Sequence, residues 1–118
     1  MIAAIRGAIT VENDTKQEII NATKELLSNI IEKNKLNIEN IIFILFTMTK
    51  DLKSTFPAVA ARMMGLNEIP LICAQELEIE ESLEKCIRVL LLVEVNSKES
   101  IKHIYLKKAV NLRKDLMR

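Results

Sequence analysis

Apolar positions along this chain follow two rhythms, one suited to strands and one to helices. Residues 1–9 (MIAAIRGAI) are apolar except for Arg6, which predicts a strand buried over most of its surface. Beyond them, positions 19, 20, 23, 26, 27, 30 and 31 repeat every three to four residues and predict an amphipathic helix over about residues 16–34. Thr15, followed three residues later by Glu18, supplies the capping signal for its first turn. Residues 41–47 (IIFILFT), rich in β-branched and aromatic side chains, predict a second strand that gives way to a polar loop. Pro57 suits the first turn of a helix, and residues 58–64, closed by Gly65, predict a short second helix carrying Arg62. Pro70 opens a strand from residue 71 to about 76. The most strand-like stretch is 86–95 (CIRVLLLVEV), whose period of two puts Cys86, Arg88, Leu90, Leu92 and Glu94 on one face. Residues 97–103 predict a helical turn or two, and 105–112 a last strand before a basic tail.

This order of elements predicts an α+β fold, a mixed β-sheet with helices on one side. Only two helices of any length are available, so one face of an apolar sheet is left uncovered. Packing copies of the chain on that face would bury it, and a symmetric oligomer is expected. The length of 118 residues, with no repeat or linker, fits a single domain, 1–118. Seventeen basic against sixteen acidic residues give a net charge of +1, which argues against nucleic acid or a membrane surface as a partner held by a positive field. The longest apolar run, 41–46, is far below the roughly 20 residues of a spanning helix. With no signal-peptide pattern at the N-terminus, the expected address is cytoplasmic.

Charge changes the picture only where it is placed oddly. Cys73 and Cys86 have no CxxC spacing and read as small buried hydrophobes, not as zinc ligands or a disulfide. The single His103 cannot build a metal site and reads as a surface residue, and two glycines leave no phosphate-cradling loop. No cofactor is expected. The arginines stand out: there are five against twelve lysines, and Arg6 and Arg88 interrupt apolar strands while Arg62 lies on the short helix. Two readings stand side by side. Each arginine reaches water from a strand end or pairs structurally with Glu76 or Glu94. Alternatively the arginines form an anion site, since the planar guanidinium donates two parallel hydrogen bonds to a carboxylate and stays charged. Glu76 is then either a structural partner or a second recognition element.

Five blocks of residues carry a resemblance that runs nearly end to end. They are Ile5-Arg6-Gly7-Ala8 with Thr10-Val11-Glu12 and Asp14-Thr15; Asp51-Leu52 with Phe56-Pro57-Ala58 and Arg62; Pro70 with Cys73 and Gln75-Glu76; Lys85-Cys86-Ile87-Arg88-Val89; and His103-Ile104-Tyr105-Leu106 with Val110 and Leu112-Arg113. In this order they resemble the trimeric monofunctional chorismate mutases of the bacillus type. The resemblance implies a homotrimer with a barrel-like centre and active sites between subunits, and a cofactor-free isomerase of aromatic amino acid biosynthesis that rearranges chorismate to prephenate. It also implies catalytic roles for Arg88, Glu76 and Arg6. Phe56, Arg62, Cys73, Tyr105 and Leu112 follow as substrate contacts, with Ile72, Ala74 and Gln75 beside them. Departures from the pattern are Val59, where the family often has a lysine, and Ile72, where it often has a threonine. A trimeric small-carboxylate binder without catalysis and an imine deaminase-like trimer are the alternatives of similar build.

Overall fold

The computed structural model describes residues 1–112, so Arg113 lies outside the described residues. Five strands form one mixed sheet in the order β3-β2-β4-β1-β5. At its centre β4 (Cys86–Glu94) runs antiparallel to both β1 (Ile2–Thr10) and β2 (Ile41–Met48). β3 (Leu71–Gln75) extends the sheet parallel to β2, and the two-residue β5 (Ile104–Tyr105) extends it parallel to β1. Helices α1 (Lys16–Lys33) and α2 (Ala58–Met63) pack on each other, with α1 against β1 and α2 beside β3. The α+β fold and mixed sheet are as expected.

Strand alternation decides what each face does. In β4 the odd positions Ile87, Val89, Leu91 and Val93 are buried with Ile19, Leu26, Leu27 and Ile30 of α1 in the main core. The even positions Arg88, Leu90 and Leu92 point the other way and are only half-buried. Their cross-strand neighbours are Ala8, Arg6 and Ala4 on β1, and Thr47, Leu45 and Phe43 on β2. An apolar face with two arginines in it is therefore open in the single chain.

Local chemistry fixes how the helices meet the sheet. Thr15 Oγ1 accepts from the Glu18 backbone N–H at 3.1 Å, while Glu18 Oε1 reaches back to the N–H groups of Glu12 and Asn13 at 3.2 and 3.1 Å. The box is thus wider than the two-residue reciprocal one, and it ties the end of β1 to the start of α1. At Gly7 the sheet leaves room for α1 and β5: a Cβ there would lie 2.8 Å from Ile30 Cδ1 and 3.1 Å from the Ile104 carbonyl. After α2, Gly65 turns left-handed at φ 87°, and the Gly65 and Leu66 N–H groups close on the Arg62 and Ala61 carbonyls at 3.0 and 3.1 Å.

The C-terminal expectation needs correcting. Residues 98–100 make a single 3-10 turn, and the strand predicted over 105–112 is only Ile104–Tyr105, followed by a 3-10 turn over Lys107–Asn111. Leu106 N–H donates to the Ala8 carbonyl at 2.9 Å, and then Lys107, at φ 55°, turns the chain away. The Thr10 hydroxyl accepts from the Lys108 N–H at 3.2 Å in place of a further ladder bond. The three-residue period of the turn sets Ala109 and Leu112 on one side. There, with Leu83, they pack on Ala8, Cys86 and Tyr105 in a second, smaller core.

Candidate active site

β4 sets Arg88 directly across from Thr47 of β2, so the two side chains stand together on the open face. Glu76 arrives there one residue beyond β3. Its N–H donates to the Met48 carbonyl at 2.9 Å, and the alternation of Ile72 and Ala74 carries its side chain to the same face. The Glu76 carboxylate is shared between two partners: Oε1 accepts from Arg88 Nη1 at 3.4 Å, and Oε2 accepts from the Thr47 hydroxyl. Glu94, the other carboxylate open to Arg88 in the sequence, instead lies 3.8 Å from the N-terminal amine.

Arg88 divides two recesses. The first, of about 260 Å³, is lined by Arg6, Thr47, Arg88 and Tyr105 around the apolar side chains of Leu45 and Leu90. The second, of about 220 Å³, is lined by Glu76, Leu77, Leu83, Cys86, Arg88 and Leu112. Arg88 keeps 43% of its side chain exposed against 20% for Glu76, and its single long bond to the carboxylate leaves most of its donors uncommitted.

Arg6 comes from β1, where its N–H donates to His103 Nδ1 at 2.9 Å. His103 is therefore not a simple surface residue. Half-buried, it accepts this bond through Nδ1 and stands in for a strand acceptor just before β5. Tyr105 is buried, at 4% exposure, and Leu112 caps the second recess. The loop after β2 fixes where β4 begins. Asp51 accepts from the Lys85 N–H at 3.0 Å, and the Thr49 hydroxyl accepts from the Cys86 N–H at 3.0 Å.

Other expected site residues are placed elsewhere by the single chain. The register from Ile44 and Leu71 to Met48 and Gln75 is unbroken, so β3 does not bend at Ala74 and Gln75. Cys73 pairs with buried Phe46 and packs on the main core, on the side opposite Glu76. Ile72 and Ala74 share the open face, Ile72 with 63% exposure, and Gln75 is exposed. Phe56, at 66% exposure, and Arg62 on α2 line neither recess and are not brought to Arg88 within one chain. Thr47 is the residue that sequence reasoning missed. Its only signal was the strand register, which places it opposite Arg88.

Burial sets the chemistry of the nearby thiol. Cys86 is pushed up from 9.0 to about 11, chiefly by burial; Arg88 pulls it down, and the Glu76 and Asp51 carboxylates push it further up. It is a neutral wall of the second recess, not a nucleophile. Among the described residues no group of three or more His, Cys, Asp or Glu side chains is placed to hold a metal ion, and no helix is long and apolar enough to cross a membrane.

Two arginines, a carboxylate and a tyrosine, set by the sheet around apolar side chains, have the chemistry to hold a small, carboxylate-bearing molecule. The family model for chorismate mutase type I matches residues 2–116, and the chain belongs to that family. Chorismate mutase AroH of Bacillus subtilis (strain 168) is 45% identical over 118 residues, covering 98% of this chain and 93% of that protein. Chorismate mutase AroH of Thermus thermophilus is also 45% identical, over 98% of this chain and 97% of its own. The structure of chorismate mutase from Clostridium thermocellum superposes with a TM-score of 0.89 at 49% identity, covering 91% of this chain and 96% of that one.

Proposed function

We propose that the chain is an isomerase that rearranges chorismate to prephenate. The observation that carries this is Arg88, its fork largely uncommitted on the open sheet face, with Glu76 on one side and Arg6 and Tyr105 on the other. In the reaction one carbon–oxygen bond breaks as one carbon–carbon bond forms within a single molecule. No atom enters or leaves, and no nucleophile or proton transfer is required. Negative charge grows on the ether oxygen as its bond lengthens. A fixed guanidinium there is worth more in the transition state than in the bound substrate, and that difference is what accelerates the step.

Arg88 takes that role, with Arg6 near the same oxygen or a carboxylate. Glu76 accepts a hydrogen bond from the ring hydroxyl and lies near the ring as it becomes partly positive. Tyr105 donates to a side-chain carboxylate, and Leu112 packs at the rim. Holding the folded conformer removes an entropic part of the barrier as well. A rate enhancement of roughly 10^6 needs about 8 kcal/mol of such differential stabilisation, within reach of a few preorganised donors.

The working unit in this proposal is a homotrimer, with the open faces packed as a barrel-like centre. Arg62 and Phe56, which stand away from Arg88 in their own chain, reach a neighbour's site across the interface. The free thiols of Cys73 and Cys86 suit a reducing compartment, which supports a cytoplasmic address. Purified protein should abolish the absorbance of chorismate and yield prephenate in equal amount. Chorismate that is bound but left unchanged would refute the catalytic reading.

A further inference from the structure

We infer that Thr47 is a positioning residue for the reaction, holding the Glu76 carboxylate so that Arg88 stays free for the substrate; this rests on the function proposed above. Glu76 has two oxygens and two neighbours on the open face, Thr47 and Arg88, themselves a cross-strand pair. A carboxylate beside a guanidinium ordinarily forms the bidentate pair, two parallel bonds that use up one edge of the fork. Here only one contact to Arg88 is made, at 3.4 Å, beyond the usual length of a strong charged bond. The second oxygen is taken by the Thr47 hydroxyl instead. Threonine suits this task. Its hydroxyl can donate to the carboxylate, and its β-branched side chain is restricted at χ1 on a strand.

The consequence is a division of labour. With Oε2 tied to Thr47, Glu76 cannot rotate into the fork of Arg88 when the site is empty. Without that tie, the two charged groups would close on each other, and the substrate would have to part them before it met Arg88. Thr47 also lines the first recess beside Arg6 and Tyr105, so its hydroxyl stands where the two recesses meet at Arg88.

The test is a pair of substitutions read in two backgrounds. Thr47→Val keeps the branched shape and removes the donor, while Thr47→Ser keeps the donor. Thr47→Val should lower kcat/KM for chorismate about tenfold or more, the usual effect of losing a hydrogen bond to a charged group. Thr47→Ser should restore most of it. In a Glu76→Gln background, Thr47→Val should cost less than about twofold, because the group it acts through is already altered. Thermal melting of each variant separates these effects from loss of fold. An unchanged kcat/KM in folded Thr47→Val, or an equal loss in both backgrounds, would overturn the positioning role. Absence of turnover by the unsubstituted protein would overturn the proposed function itself, and this role with it.

Discussion

Arg88 is the third residue of β4, on the same face as Leu90 and Leu92, and among the described residues it is the one group shared by both recesses. Truncating it removes the cation placed for the developing charge and also leaves Glu76 with one partner fewer. Arg88→Ala, with the fold intact, should therefore lose about 10^2 to 10^3 in kcat. Steady-state turnover of chorismate checks this, and a variant keeping most of its kcat would remove Arg88 from the chemistry. Arg88 was legible in the sequence because a charge inside an apolar alternating run is physically out of place. Glu76 was legible only in part, since its partner depended on pairing between strands far apart in the chain. Thr47 was not legible at all. A threonine near the end of a strand is common, and its meaning comes from the register that sets it opposite Arg88. His103 is similar: its bond to the Arg6 N–H joins residues 97 positions apart.

Elements were legible where their periodicity was long. The strands over 41–48 and 86–94 and the helix over 16–33 came out within a few residues, because burial on one side imposes the period directly. The last segment failed for a physical reason. Alternation over a few residues does not distinguish a strand from a 3-10 turn, and Lys107 in a left-handed conformation ends the ladder after two pairs. The approach of α1 to β1 at Gly7 is close. At Gly7 a methyl group would meet Ile30 Cδ1 at 2.8 Å, Leu26 Cδ1 at 3.1 Å and the Ile104 carbonyl at 3.1 Å. Ile30 and Leu26 are fully buried and have little room to give, and the carbonyl belongs to the backbone of β5. Gly7→Ala should accordingly cost about 1–3 kcal/mol of stability, as overpacking usually does. Denaturant unfolding measures it, and an unchanged midpoint would mean that α1 can lift from the sheet freely. Because Gly7 adjoins Arg6 and pairs with Ile104, the same variant disturbs one wall of the first recess.

Across the whole molecule, two half-buried carboxylates, Asp14 and Glu18, accept backbone N–H bonds and open a route to acid sensitivity. Asp14 accepts from the Lys53 and Ser54 N–H groups at 3.0 and 3.1 Å, joining the start of α1 to the loop before α2. The Lys53 N–H bond holds the Asp14 carboxyl below its ordinary value of 3.8, and the Asn13 N–H does the same for Glu18 below 4.5. Carboxyls lowered in the folded state add stability above those ordinary values and lose it as pH falls through the lowered ones. The melting temperature should thus hold steady above about pH 5 and drop below about pH 4, with a shallower drop in Asp14→Asn. An acid limb unaffected by that substitution would exclude Asp14 as a contributor. The larger question at this scale is what covers the open face. Ala4, Phe43, Leu45, Leu90 and Leu92 form an apolar stripe across β1, β4 and β2, while α1 and α2 pack into the core on the other side. Water against so continuous an apolar sheet is unfavourable, and three copies closing their sheets into a barrel would remove it while bringing Arg62 and Phe56 of one chain to Arg88 of another. A carboxylate in the stripe separates folding from assembly, because Leu92 contributes nothing to the core behind the sheet. Leu92→Asp should give a folded monomer by sedimentation, with chorismate turnover at least about a hundredfold lower, since each site would lose the groups supplied by its neighbour. A monomeric variant with full activity would place every essential group within one chain, and a variant still trimeric would place the interface on another face.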